Sequence, residues 1–165
     1  MHSIEDVIQF LNHRNLSVTT AESCTAGLVA AMMADISGCG EALQSGFVVY
    51  TEQAKHNCLN VNFKTIRRYG LTSEEVAKEM ALGALHRSSA DIILAITGTA
   101  ESNDDLNGVI CFAYALRTPN GYRLLSESKS FSGDRNEVRS AAATYALVSL
   151  PDIYEKIQSH PETRL

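Results

Sequence analysis

The first apolar positions of the chain recur at helical spacing. Ile4, Val7, Ile8 and Leu11 fall on one face of a helix predicted over roughly 4–12. Ser3 is placed to cap it, with Asp6 standing where a capping box usually has Glu or Gln. Leu16, Val18 and Thr20 alternate as a short strand that runs straight into Ser23, Cys24 and Thr25. The helix predicted next, over 25–36, is apolar nearly all round and is expected to be buried. Phe47, Val48, Val49 and Tyr50 form a dense apolar run, the pattern of a central strand. Short helical pieces follow over 52–59 and 60–70. Thr72 or Ser73 then caps a helix over 74–86, with Val76, Met80, Ala84 and Leu85 inward. Residues 92–98 and 108–116 read as buried neighbouring strands. Pro119, Asn120 and Gly121 turn the chain into a segment whose alternation predicts a sheet edge. Asp134 opens the last helix, Pro151 ends it or restarts the chain in a short tail, and the terminal SHPETRL is expected to fray. Alternating helices and strands plus one hairpin predict an α/β fold: a three-layer α/β/α sandwich with a mixed central sheet. It forms a single domain over 1–150, with a tail over 151–165.

Composition narrows the function classes. Lys plus Arg number 14 and Asp plus Glu 19 in 165 residues, a net charge of −5, so no broad positive surface awaits a nucleic acid. No run approaches the roughly 18 apolar residues of a membrane span. The four cysteines, Cys24, Cys39, Cys58 and Cys111, show no CxxC spacing, and the start carries acidic residues where a signal peptide needs an apolar stretch. A reduced, cytoplasmic protein is expected. The five histidines are scattered, so no metal site is expected. The apolar 27–34 helix and the FVVY run supply more apolar surface than one small sheet needs, which predicts a homo-oligomer.

Three polar clusters adjoin apolar strands: Glu22 to Thr25, Tyr50 to Lys55, and Thr97 with Gly98. The carboxyl ends of strands in an open α/β sheet form the usual ligand crevice. Ser23 or Thr25 is a helix cap or a presented hydroxyl; Cys24 is a buried thiol or a nucleophile. Lys55 is a solvated helix lysine or a desolvated base near a serine. Tyr50 is a core aromatic or a site hydroxyl. Arg135 and Arg139, four apart, either pair with Asp134 and Glu137 or bind an anion.

These strings carry a family resemblance. AESCTAGLVAA resembles the AESCTGG signature of the C-terminal domain of the competence/damage-inducible protein CinA, the nicotinamide-nucleotide amidase family. SGFVVYTEQAK, LTSEEVAKEMALGA, AITG and FSGDRNEVRSAAATYAL are similar to further family motifs in the same order over about 5–150. The resemblance implies the stand-alone form, without the N-terminal nucleotide-cofactor domain. It implies hydrolysis of the carboxamide of nicotinamide mononucleotide to nicotinate mononucleotide and ammonia, with a small-molecule substrate and no cofactor. Ser23 is then the nucleophile, Lys55 its base, and Tyr50 a further catalytic group. Thr25, Ala26, Gly27, Ser45, Thr97, Gly98, Arg135 and Arg139 are the implied substrate contacts, and N–H groups near Thr25 and Ala26 would hold the oxyanion. The chain departs from the pattern twice. Ala26 replaces a family glycine, and 99–105 replace a glycine-rich loop with a segment bearing Glu101, Asp104 and Asp105. The first is expected to be harmless or to crowd a bound phosphate, the second to repel one. A non-catalytic binding or regulatory protein and an amidase for another, less anionic amide stand as the alternatives.

Overall fold

The computed structural model describes residues 2–165. A six-stranded mixed sheet is built from β1 (Val18–Glu22), β2 (Leu43–Val48), β3 (Ile92–Gly98), β4 (Val109–Thr118), β5 (Gly121–Ser130) and β6 (Glu162–Arg164). The spatial order is β2-β1-β3-β4-β5-β6. β2, β1 and β3 run parallel, and the remaining neighbours pair antiparallel. The helices are α1 (Ile4–His13), α2 (Leu28–Ala34), α3 (Glu52–Leu59), α4 (Phe63–Tyr69), α5 (Glu74–Arg87), α6 (Arg135–Val148) and α7 (Leu150–Ile157). They cover both faces, so the α/β/α sandwich with its mixed sheet is the observed architecture.

Side-chain size decides how the two faces pack. Strand residues alternate between faces. Ile92, Leu94, Ile96, Ile110, Phe112 and Tyr114 meet α1, α2, α6 and α7. Ile93, Ala95, Cys111, Ala113 and Ala115 meet α3, α4 and α5. The alanine-rich face lets α5 lie close, and α5 in turn packs on α3. There Gly83 is required: a Cβ built on it would stand 2.0 Å from the Leu59 carbonyl oxygen.

Helix starts follow the chain's capping chemistry. Ser3 and Asp6 form a reciprocal capping box on α1, Ser73 rather than Thr72 caps α5, and Asp134 with Glu137 boxes α6. The strands at 92–98 and 108–116 are neighbours and almost wholly buried, as their composition predicts.

Four expectations change. The FVVY run is no central strand: β2 starts earlier and lies at the sheet edge, leaving Val48 and Tyr50 half exposed. Its apolar residues alternate between cover and solvent, and an unbroken apolar run cannot reveal that. α2 is shorter than 25–36 and buries only Val29 and Met33, because its outer positions are alanines that lose little by facing water. Pro151 does not end the helical region; it sits in the first turn of α7, where its missing N–H costs nothing. The terminal segment pairs as β6 with Gly121–Arg123, so β5 is a sheet edge only beyond that point.

The α5–α3 contact gives the first test. Gly83→Ala should lower unfolding stability by about 2 kcal/mol or more, because backbone cannot yield to a methyl group there. Urea unfolding measures it. A loss below about 0.5 kcal/mol would contradict the packing described.

Candidate active site

The chain leaves β1 for β2 on one side and reaches β3 on the other, so the loops after β1 and β3 diverge. That divergence opens a crevice at the carboxyl ends of the two strands. The Ser23 N–H donates to the Ile96 carbonyl (3.0 Å), which continues the β1–β3 pairing to the nucleophile candidate itself. The cleft at this point holds about 200 Å³, with Ser23, Cys24, Tyr50, Thr97, Gly98 and Arg135 on its walls.

Lys55 reaches this cleft from below. Thr51 caps α3 and sets its phase, so that Lys55 and Leu59 face inward. Lys55 is fully buried. Its Nζ donates to Ser23 Oγ (2.8 Å) and to the carbonyls of Val49 and Tyr50 (3.0 Å each). The solvated-helix alternative is therefore wrong for this lysine. Desolvation pulls its pKa from 10.5 down to about 8, with Cys24 and Glu52 opposing the shift. When Lys55 is neutral, its two N–H bonds can go to the carbonyls, which turns the lone pair toward the Ser23 hydroxyl. That is the arrangement of a general base.

Cys24 is a poor nucleophile here. Burial is the main cause that pushes its thiol up to about 11, so it stays protonated at neutral pH. Tyr50 is half exposed at the mouth, and its hydroxyl accepts from Arg135 Nη2 (2.7 Å). Thr97 is buried in the wall and donates to the Leu71 carbonyl (3.0 Å). Gly98 is held to glycine by β4: a Cβ there would lie 2.6 Å from the Val109 oxygen.

Other expected contacts fall outside the cleft. Ser45 sits mid-strand on β2, its hydroxyl 2.8 Å from that of Thr19, because the β1–β2 register sets it well before the strand end. Thr25 is buried and donates to Glu22 Oε1 (2.7 Å). The Gly27 N–H goes to the same oxygen (3.2 Å). The Ala26 N–H is taken by the Ser23 carbonyl, which removes it from the expected oxyanion donors. Ala26 is exposed and off the cleft, so its methyl crowds no ligand there. Its effect is backbone strain, since its φ is 51°. Arg139 does not line the cleft; it donates to the carbonyls of Cys24 (2.8 Å) and Thr25 (3.1 Å). Asp134 and Glu137 are occupied in capping α6, so neither arginine pairs with them.

The substituted loop is less hostile to an anion than its composition suggests. Only Glu101 of its three carboxylates lines the cleft. Asp104 folds back onto the Ser102 hydroxyl (2.7 Å) and Leu106 N–H (3.0 Å), and those bonds hold its pKa below the usual range. A larger, shallow depression along the outer face of α6 lies apart from Ser23 and Lys55. Among the described residues no three His, Cys, Asp or Glu side chains converge as metal ligands, and no helix is long and apolar enough to cross a membrane.

Sequence reasoning missed Glu22. It is fully buried, and its carboxylate gathers the start of α2. No local signal singles it out: in the sequence it is one member of the polar Glu22–Thr25 cluster.

The family model of the CinA C-terminal domain matches residues 2–153. The chain belongs to the CinA C-terminal domain family. Within this family it is similar to the nicotinamide-nucleotide amidohydrolase PncC of Escherichia coli K12. The two are 40% identical over 154 residues, covering 91% of this chain and 92% of that protein. A CinA-like protein of Chlorobium phaeobacteroides is 37% identical over 93% of this chain, which spans only 37% of that longer protein. A crystal structure of a CinA superfamily protein from Escherichia coli has a TM-score of 0.83 and 33% identity, covering 92% of this chain and 90% of that one. The competence/damage inducible protein CihA from Agrobacterium tumefaciens gives 0.83 and 33%, covering 93% and 97%.

Proposed function

We propose that this CinA-family chain is a nicotinamide-nucleotide amidase that converts nicotinamide mononucleotide and water to nicotinate mononucleotide and ammonia. The observation that carries the chemistry is the buried Lys55 Nζ at 2.8 Å from Ser23 Oγ. The 40% identity with amidohydrolases over most of both chains supports the substrate.

Neutral Lys55 takes the Ser23 proton as Oγ attacks the carboxamide carbon. The Cys24 N–H, at the cleft wall, stabilises the oxyanion. The protonated Lys55 returns its proton to the departing nitrogen, releasing ammonia and leaving a nicotinoyl ester on Ser23. Water, deprotonated by Lys55, cleaves that ester and restores the serine. A cleft of about 200 Å³ suits a pyridine carboxamide better than a whole nucleotide. The phosphate then lies at the mouth, where Arg135 supplies a planar cation and Tyr50 is its present partner. Glu101 on the same wall favours a second reading, an amide without a phosphate. Assaying nicotinamide riboside beside the mononucleotide separates the two.

Ser23→Ala and Lys55→Met should each reduce ammonia release from the mononucleotide at least about a hundredfold. Because the base must be neutral and its pKa is about 8, kcat/KM of the wild type should rise with pH and level off above that value. Full activity in either variant, or a flat profile from pH 6 to 9, would contradict the mechanism.

We also infer self-association through the β2 edge. Val48 is 56% exposed there, Tyr50 is 50% exposed, and the alanine face of α2 adjoins it. Light scattering at micromolar concentration should give a mass above 17.9 kDa; the monomer mass throughout would refute it.

A further inference from the structure

We propose that Glu22 and Arg139 are positioning residues that grip the Ser23 turn from opposite sides and hold Oγ within reach of Lys55. The inference rests on the reading of Ser23 as nucleophile.

The turn after β1 is not a self-sustaining shape. Ala26 and Gly27 are both left-handed, with φ of 51° and 94°, before a helix of only seven residues begins. Three main-chain N–H groups of this stretch, those of Gly27, Val29 and Ala30, go to one carboxylate. Glu22 Oε1 accepts from Thr25 Oγ1 (2.7 Å), Val29 N (3.0 Å) and Gly27 N (3.2 Å). Oε2 accepts from Thr20 Oγ1 (3.0 Å) and Ala30 N (3.1 Å). A carboxylate with no solvent exposure is tolerated only when its oxygens are saturated in this way or paired with a cation. Among the described residues it makes no salt bridge.

The carbonyls of the same turn meet a cation. Arg139 reaches over from α6 and places Nε on the Cys24 oxygen and Nη2 on the Thr25 oxygen. A guanidinium fork spans two adjacent carbonyls, which a lysine ammonium cannot do in the same geometry. Ser23 lies between the residue that collects the donors and the carbonyls that Arg139 holds. Its Oγ–Nζ distance of 2.8 Å is thus fixed by two anchors on different elements, β1 and α6. Neither anchor lines the cleft, so their removal should disturb reactivity and leave substrate affinity almost unchanged.

The test labels Ser23 with a small alkyl fluorophosphonate, followed by intact-protein mass, in wild type, Glu22→Gln and Arg139→Lys. Single-turnover ammonia release and KM for nicotinamide mononucleotide are measured alongside. Folding of each variant is checked by circular dichroism. Both variants should be labelled, and should turn over, at least about tenfold more slowly than wild type, with KM within about twofold. Rates are taken per folded molecule, so a lower folded fraction alone does not move them. Labelling of either folded variant at the wild-type rate overturns the inference for that residue. Should Glu22→Gln fail to fold, Arg139→Lys, at a half-buried position, decides the outcome. Wild type that is labelled at Ser23 and slowed by both changes, yet releases no ammonia, upholds the positioning role and sinks the amidase reading. Wild type that is never labelled at Ser23 sinks both.

Discussion

An ammonium group sealed from water, with only neutral oxygens in contact, is the constraint on which the rest of the structure turns. Lys55 has no carboxylate within hydrogen-bond reach; its partners are two carbonyls and the Ser23 hydroxyl. Burial without a direct counter-charge destabilises the charged form, and this makes the lysine a usable base close to neutral pH. The burial comes from α3, whose inward face carries Lys55 and Leu59. α3 is seated by α5 at the point where Gly83 admits the Leu59 carbonyl. Packing far from the cleft thereby sets the proton affinity inside it.

The other half of the pair depends on topology. The sheet changes direction of travel at β1, and the crevice this creates places the Ser23 turn opposite Thr97 and Gly98. The start of α2 looks from its sequence like an anion cradle, yet Glu22 occupies its donors. Under the proposed function, charge recognition therefore falls to Arg135, whose guanidinium stands at the rim on the Tyr50 hydroxyl, while the turn holds the serine. The division explains why two arginines one helical turn apart act differently. Arg135 faces the mouth, and Arg139 faces the backbone of the turn.

Much of this was legible in the chain. Buried strands at 92–98 and 108–116, the capping residues of α1, α5 and α6, and the mixed α/β layering follow from local pattern alone. The Ser23–Lys55 meeting was legible from the residues only as one of two alternatives for Lys55, and the family resemblance chose between them, since 32 positions separate the residues and nothing local joins them. β2 was misread because an edge strand and a central strand can share one apolar run. The terminal β6 was missed because three polar residues bear no strand signal and pair only through their backbone. Glu22 and the carbonyl contacts of Arg139 are three-dimensional facts: a buried carboxylate reads as an ordinary surface one until its donors are seen.

The most direct measurement is the titration of Lys55 itself. Protein labelled with ¹³C at lysine Cε can be followed by NMR from pH 6 to 11, with Lys55→Met assigning the resonance. The account predicts a midpoint near 8, well apart from the surface lysines. A Lys55 midpoint at or above the ordinary 10.5 would mean a charged lysine throughout the working range, and would contradict its role as the base for Ser23.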